Sequence, residues 1–258
     1  MNGKLLSCSI IYVTALVLAG CGVLTGFQPQ PEWNMSQETP IIIARNCCGF
    51  VTQTYATNHI FDAQIWGDGR IIYSSIFDTG VRFVRTAQLS TTRVQSLLRE
   101  IIDDGFFQME DNYGEYAIAD ASEQCLVVHL VQKSKTVCQY VRGAPPEFEE
   151  LYMKVWSVAW GRSEPYEPKV AYLESQLLDF SNFPGLMPHR EWSETDSGIS
   201  LASATSGLCI EGLALEQAWN IVNQDMWVGL VSQDRDIYQI TLQISGVSMI
   251  APPTPCVE

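Results

Sequence analysis

The sulfur chemistry of this chain divides by position. Cys8 falls in an apolar leader and Cys21 directly after it, whereas Cys47, Cys48, Cys125, Cys138, Cys209 and Cys256 are spread through the remainder. An even number of cysteines in an oxidising compartment points to disulfides. If the hairpin carrying Cys125 and Cys138 turns at Lys133-Ser134, Cys125 faces Arg142 and Cys138 faces His129. The two cysteines are then roughly 13 Å apart at strand rise, out of bonding reach. Adjacent Cys47 and Cys48 are likewise a poor pair. The expected bonds therefore run from one or both of these to Cys125 or Cys138, and from Cys209 to Cys256, which would fix a proline-rich tail. The alternative is six reduced or simply buried cysteines.

Other reactive types are sparse or badly spaced. Of three histidines, His59, His129 and His189, none stands at metal-ligand spacing from another donor. His129 alternates with Val127 and Val131, as a structural strand residue does. Asp111-Asn112-Tyr113-Gly114-Glu115 with Asp120 could offer calcium hard oxygens, but Tyr113 breaks the EF-hand spacing, and a solvated acidic loop is preferred. Gly198-Ile199-Ser200-Leu201-Ala202 is a faint version of a serine nucleophile elbow without the required helix behind it. No metal, no cofactor and no catalytic residue is expected. Seven tryptophans offer flat area for sugars or protein partners. Trp156 and Trp219 fall on apolar helical faces, which leaves Trp66, beside a glycine turn, and Trp192, in an irregular stretch, as the expected surface binders.

The leader sets the context for all of these. Lys4 is followed by an apolar run from Leu5 to Gly20, a signal-peptide profile too short for a membrane span, which needs roughly 20 apolar residues. It ends in Leu18-Ala19-Gly20-Cys21, which resembles the bacterial lipobox. That resemblance implies cleavage before Cys21, a lipid on its thiol and acylation of the new amino terminus, with several acyl chains giving a stable anchor. The expected address is extracytoplasmic, on the membrane through Cys21. Gly22 in place of aspartate implies the outer membrane, if the source has one.

Removing residues 1–20 deletes Lys4 and no acid, leaving 14 Lys+Arg against 29 Asp+Glu, a net of −15. Such a surface is repelled by nucleic acid and by anionic headgroups. DNA and RNA are excluded as partners, and lipid rather than charge must hold the protein to a membrane.

Four segments follow from patterning: a leader (1–20), a lipidated cysteine with a flexible tether (21–40), a first domain (41–161) and a second (166–258), separated by a proline- and glutamate-containing break at 161–169. In the first domain, residues 59–66 and 70–77 flank Gly67-Asp68-Gly69 as a hairpin, and a strand covers 81–87. Val94, Leu97, Leu98, Ile101 and Ile102 share a helical face, with Thr92 and Gln95 spaced as a capping box and Gly105 as the stop. Residues 125–131 and 136–141 form another hairpin, and Phe148, Leu151, Tyr152, Val155 and Ala159 mark a second helix. The fold class expected is α+β, an antiparallel sheet with amphipathic helices on one face. A second small α+β domain follows, with a helix at Leu215, Ala218, Trp219 and Val222 and a strand alternating through Tyr238, Ile240, Leu242 and Ile244.

Residues 41–156 resemble the bacterial domain-of-unknown-function family numbered 6438. The resemblance is carried by Ile41-Ile42-Ile43 before the turn Cys47-Cys48-Gly49-Phe50, and by Gly67-Asp68-Gly69-Arg70-Ile71-Ile72-Tyr73. Phe106-Phe107, Asp111 with Tyr113 and Asp120, and Lys135-Thr136-Val137 leading to Tyr140 complete it. The family pattern has a second cysteine and a proline shortly after the first turn, where this chain has Cys48 and then Val51-Thr52. The resemblance implies a secreted or lipid-anchored protein and lends no activity. The expected function is a non-catalytic binding module, held by lipid and facing an envelope protein or a cell-wall glycan. An envelope hydrolase with a dispersed site is the alternative.

Overall fold

The computed structural model describes residues 30–77, 79–114, 118–179, 190–224 and 229–256. The leader, Cys21, Glu115, His189 and Trp227 lie outside the described residues. The fold is α+β, with one large sheet and one smaller sheet of four strands.

The large sheet has the order β5-β7-β6-β1-β2-β3-β4-β8. Its centre is β1 (Pro40–Cys48), whose Ile41 and Ile42 are both buried in one core, the register being irregular between Pro40 and Ile42. An isoleucine-rich strand suits such a buried position. Around it stand β2 (Ala63–Trp66), β3 (Arg70–Ile76), β4 (Arg82–Gln88), β6 (Ser122–His129) and β7 (Ser134–Tyr140). Every pairing is antiparallel except that of β5 (Asn112–Gly114) with β7.

Successive strand residues face opposite sides, and the large sheet feeds two cores. Ala63, Ile65, Ile71 and Tyr73 enter a cluster with α2 (Thr91–Asp103) and α3 (Pro146–Ser157), which contribute Val94, Leu97, Leu98, Ile101, Phe148, Leu151 and Val155. The cap of α2 is Ser90, whose hydroxyl accepts from the Arg93 amide at 3.2 Å, rather than Thr92. Gly105 leaves the helix with φ +79°. Glu147 and Glu149 in the first turn of α3, and Lys154 in its last, complement the helix dipole.

Trp66, Ile72 and Val84 enter a different cluster, with the residues of the C-terminal half. There the small sheet has the order β10-β9-β12-β11, from β9 (Val170–Leu177), β10 (Leu208–Glu211), β11 (Leu230–Gln233) and β12 (Asp236–Gln243). Its long helix, α5 (Gly212–Gln224), buries Ala214, Leu215, Ala218, Ile221 and Val222.

A buried polar seam runs beside this second core. The short helix α1 (Gln53–Asn58) ends in Asn58, whose side chain donates to the Ile240 carbonyl at 3.4 Å and accepts from the Leu242 amide at 2.7 Å. Arg82 donates to Asn223 Oδ1 at 2.7 Å and to the Asn58 carbonyl. Gln64 reaches the Gly246 carbonyl at 3.2 Å, and the Met249 amide reaches the His59 carbonyl at 2.9 Å. His59 is 2% exposed, and among the described residues neither ring nitrogen has a hydrogen-bond partner of good geometry. Burial first, and then the charge of Arg82, hold it down to about 4, opposed by the Asn46 backbone. Nearby Asp62 is pushed up to about 6 by burial, although it accepts a hydrogen bond from Tyr152.

Three sequence expectations are revised here. Residues 30–39 are not a free tether. Trp33 donates to the Gly67 carbonyl at 2.9 Å, and the Val131 amide donates to Glu32. The fit over Gly67 is so close that a Cβ there would meet the Asn34 carbonyl oxygen at 1.7 Å. The break at 161–169 is pinned as well. Glu164–Pro165 forms β8 on the edge of β4, and Arg85 donates to Ser163 Oγ at 2.8 Å.

The third revision is the cysteine register. The hairpin closes through Leu130 and Lys133 around Val131-Gln132, two residues earlier than Lys133-Ser134. Cys125 therefore lies opposite Cys138, with Cα atoms 4.1 Å apart, and the two form a disulfide. Cys47 and Cys48 pair with each other across a cis peptide bond, not with Cys125 or Cys138. The register explains why: β1 presents Arg45 to Cys125, and puts Cys47 and Cys48 opposite Glu123 and Ser122. Cys209 and Cys256 form the remaining disulfide, Cα–Cα 5.7 Å, with Cys256 buried.

Candidate functional site

Serine and aspartate build the candidate site where β11 returns past the residues preceding α5. The Trp192 amide donates to the Ser232 carbonyl at 2.7 Å, and Ser232 in turn donates to the Arg190 carbonyl at 3.0 Å, so Glu191 is bridged to β11. Ser193 then caps α4 (Glu194–Ser197) by accepting from the Asp196 amide at 3.2 Å, and Gly198 ends it at φ +70°. Serine at the cap and acids in the first turn are what a helix start favours. Between this short helix, α5 and the β11–β12 turn lies a cavity of about 880 Å³.

Its lining is one-sided in chemistry. Glu191, Glu194, Asp196 and Asp234 supply four carboxylates, and no lysine or arginine lines it among the described residues. Gln233 is committed to the wall: it accepts from the Leu201 amide at 2.7 Å and donates to Glu194 at 2.6 Å. Gln217 donates to the Glu191 carbonyl at 3.3 Å, and its buried Oε1 has no partner among the described residues. Acceptors thus dominate the lining. Ammonium or guanidinium groups suit such a lining, since they carry several N–H donors and no acceptor.

The residues singled out from sequence are scattered. Trp66 and Trp192 are each 2% exposed, so neither is a surface binder. Trp66 occupies an inward position of β2 under the Arg70 guanidinium, 3.9 Å from the ring centroid. Trp192 forms the cavity floor, its Nε1 donating to the Ile199 carbonyl at 2.7 Å. Among the described residues Trp160 is the tryptophan that is half exposed, edge-on against Trp156. Ser200 caps the 3-10 helix Leu201–Ser206 and receives a hydrogen bond from Gln233 at 3.4 Å, a structural role. His129 bonds Ser134 across its hairpin at 2.7 Å, and His59 is in the seam, so neither faces the carboxylates. In the Asp111 loop, Lys135 pairs with Asp111, Tyr113 accepts from the Glu110 amide, and Asn112–Gly114 is edge strand β5. Glu123, Cys125 and Cys138 gather within ligand distance of one another, but both sulfurs are in the disulfide and offer no thiolate.

Sequence reading missed the acid cavity because its lining comes from 191–198, Gln217 and 233–234. Its one linear trace is the density of acids in Glu191-Trp192-Ser193-Glu194-Thr195-Asp196.

Among the described residues no helix is long and apolar enough to cross a membrane. No curated protein and no solved structure matches the chain. Residues 51–159 match the family Domain of unknown function (DUF6438). That stretch ends just before β8, leaves out β1 and the Cys47-Cys48 turn, and contains none of the acid cavity. The large-sheet half of this chain is thus similar to a family of unknown function, and the cavity belongs to the half that lies beyond it.

Proposed function

We propose that the protein is a lipid-anchored, non-catalytic binding module of the cell envelope, and that the acid-lined cavity beside α5 is where it takes cationic groups of an envelope partner. The cavity carries this reading: about 880 Å³ walled by four carboxylates with no lysine or arginine among the described lining residues. Space of that order suits a side chain or a small ligand. Clustered carboxylates raise the local concentration of cations and steer their approach, while the fixed Gln233–Glu194 bond gives the wall a defined shape.

The anchor is proposed on the sequence alone. Leu18-Ala19-Gly20-Cys21 gives the acylation site and the basic, apolar leader gives the export signal. With the lipid at residue 21 and the fold engaged from residue 30, the intervening residues span at most about 30 Å when extended. The module therefore works close to its membrane. Cys21→Ser should abolish acyl labelling and leave the leader uncleaved.

Crosslinking in intact envelopes, with wild type and a variant carrying Glu191→Gln, Glu194→Gln, Asp196→Asn and Asp234→Asn, tests the reading. The wild type should enrich a specific partner with cationic groups that the variant loses. Recovery of the wild-type protein alone, or equal capture by both, would count against it.

A further inference from the structure

On the opposite flank of α5 is a second cavity, of about 650 Å³, between that helix and the Pro165–Lys169 segment. We infer that it is a saccharide site, in which a neutral pyranose packs against Tyr166 and Trp219 while Glu216 and Asn220 take its hydroxyls.

Elements already described fix each part. Tyr166 follows β8, and its amide donates to the Val84 carbonyl at 3.0 Å, so the aromatic side chain is set by the edge of the large sheet. Trp219 comes from the small-sheet side, on α5. Their rings meet at a centroid distance of 6.1 Å and 73° between planes. Both are half-buried against the second core yet line the cavity. Two nearly perpendicular rings make an apolar corner, and the C–H face of a pyranose is the polar molecule's one apolar surface. Flat aromatic rings give contact area with little loss of conformational freedom.

Glu216 and Asn220 are exposed residues one helical turn apart, on the same side of α5 as Trp219. Their Cα atoms are separated by about 6 Å along the axis at 1.5 Å rise per residue, a spacing that lets the two side chains serve hydroxyls on opposite edges of one ring. A carboxylate accepts and an amide both donates and accepts, which suits hydroxyls.

Charge separates this cavity from the acid one. Here Lys169 offsets one of Glu167 and Glu216, so the described lining carries one net negative charge rather than four. A neutral polyhydroxyl fits such a lining better than a basic peptide does, and the groove differs in ligand class from the proposed cation site across the helix.

The test is saturation-transfer NMR and calorimetry on the full-length chain, with soluble neutral oligosaccharides of glucose, galactose, mannose and N-acetylglucosamine as probes. At least one series should bind, with transfer strongest on the ring face. Glu216→Ala with Asn220→Ala, both at exposed positions, should weaken that binding at least tenfold while leaving the thermal midpoint in place. Trp219→Ala should abolish it, and circular dichroism controls for a folding defect. The quadruple acid-cavity variant should bind the sugar as wild type does, which keeps this inference separable from the proposed cation site. No binding by any series, binding untouched by the Glu216/Asn220 pair, or preference for a basic peptide at this groove would overturn it.

Discussion

The two cores that share the large sheet are built in different ways. On one side, β2 and β3 meet α2 and α3 mainly through aliphatic and aromatic side chains, with Leu97, Leu98, Ile101 and Phe148 fully buried and Trp156 Nε1 donating to the Ser74 carbonyl at 2.8 Å. On the other, β2–β4 meet the small-sheet half partly through Trp66, Ile72 and Val84 and partly through the seam of Asn58, His59, Gln64, Arg82 and Asn223. Apolar burial tolerates many equivalent arrangements, whereas hydrogen bonds are directional and specify one register at modest net gain. The first interface should hold the fold together, and the second should fix how the two halves meet.

The largest effects belong to the dry side. Leu98→Ala or Phe148→Ala should cost about 2–5 kcal/mol, the usual range for emptying a fully buried site, read as a shift of the urea midpoint at constant slope. Either substitution costing less than Asn58→Ala would invert the comparison.

Next comes the clamp on the tail. Cys256→Ser opens a loop of 47 residues to Cys209, and should cost about 2–4 kcal/mol. Gln243 holds the Ile250 and Ala251 carbonyls at 3.0 and 3.1 Å, so the tail also has non-covalent contacts. Protease sensitivity of the variant should therefore rise first beyond Ala251.

Seam substitutions should separate bonding from charge. Asn58→Ala strands the buried Leu242 amide and should cost about 1–3 kcal/mol. Burial lowers Arg82 to about 10, so it stays charged at neutral pH, and its bonds go to amide and carbonyl oxygens. Arg82→Met strands Asn223 Oδ1 and the Asn58 carbonyl, should likewise cost about 1–3 kcal/mol, and should loosen the contact between the halves as read by hydrogen exchange at Asn223 and Leu242.

The smallest effect, and the most diagnostic, is pH. His59 sits at about 4 against an ordinary 6.5, so between those values the unfolded chain holds the extra proton and stability falls as pH drops. Asp62 is shifted up to about 6 from 3.8, so in that window the folded chain holds the extra proton and stability falls as pH rises. The two slopes oppose each other. Asp62→Asn should leave stability rising from pH 4 to 6.5, and His59→Phe should leave it falling from pH 4 to 6, with wild type flatter than either.

How far this was legible in the sequence follows the same division. Helical periodicity in Val94–Ile102 and Phe148–Val155, and strand alternation in Tyr238–Ile244, report apolar burial, and the first core is made of that. The seam leaves no periodic trace, because Asn58 meets Ile240 and Leu242 across more than 180 residues. Short elements such as α1 and β8 lack the length for a pattern. Register failed at one place for a local reason: Val131-Gln132 contains no glycine, asparagine or proline to mark the turn, and a shift of two residues there moved Cys138 opposite Cys125. Trp66 misled because a glycine turn follows it, while its strand position points inward. At the acid cavity the density of acids in 191–196 was visible, but not that β11 brings Asp234 to them.

The claim that the acid cavity is a binding site is tested most directly by comparing two variants with the same loss of charge. One neutralises Glu191, Glu194, Asp196 and Asp234. The other neutralises Glu110, Glu147, Glu149 and Glu150, exposed acids remote in the chain from the cavity. Calorimetry with short lysine- and arginine-containing peptides on the full-length protein should show saturable binding that the first variant loses by at least tenfold and the second retains. Equal weakening in both would mean that only the net charge of the surface attracts the peptide, and would contradict the account.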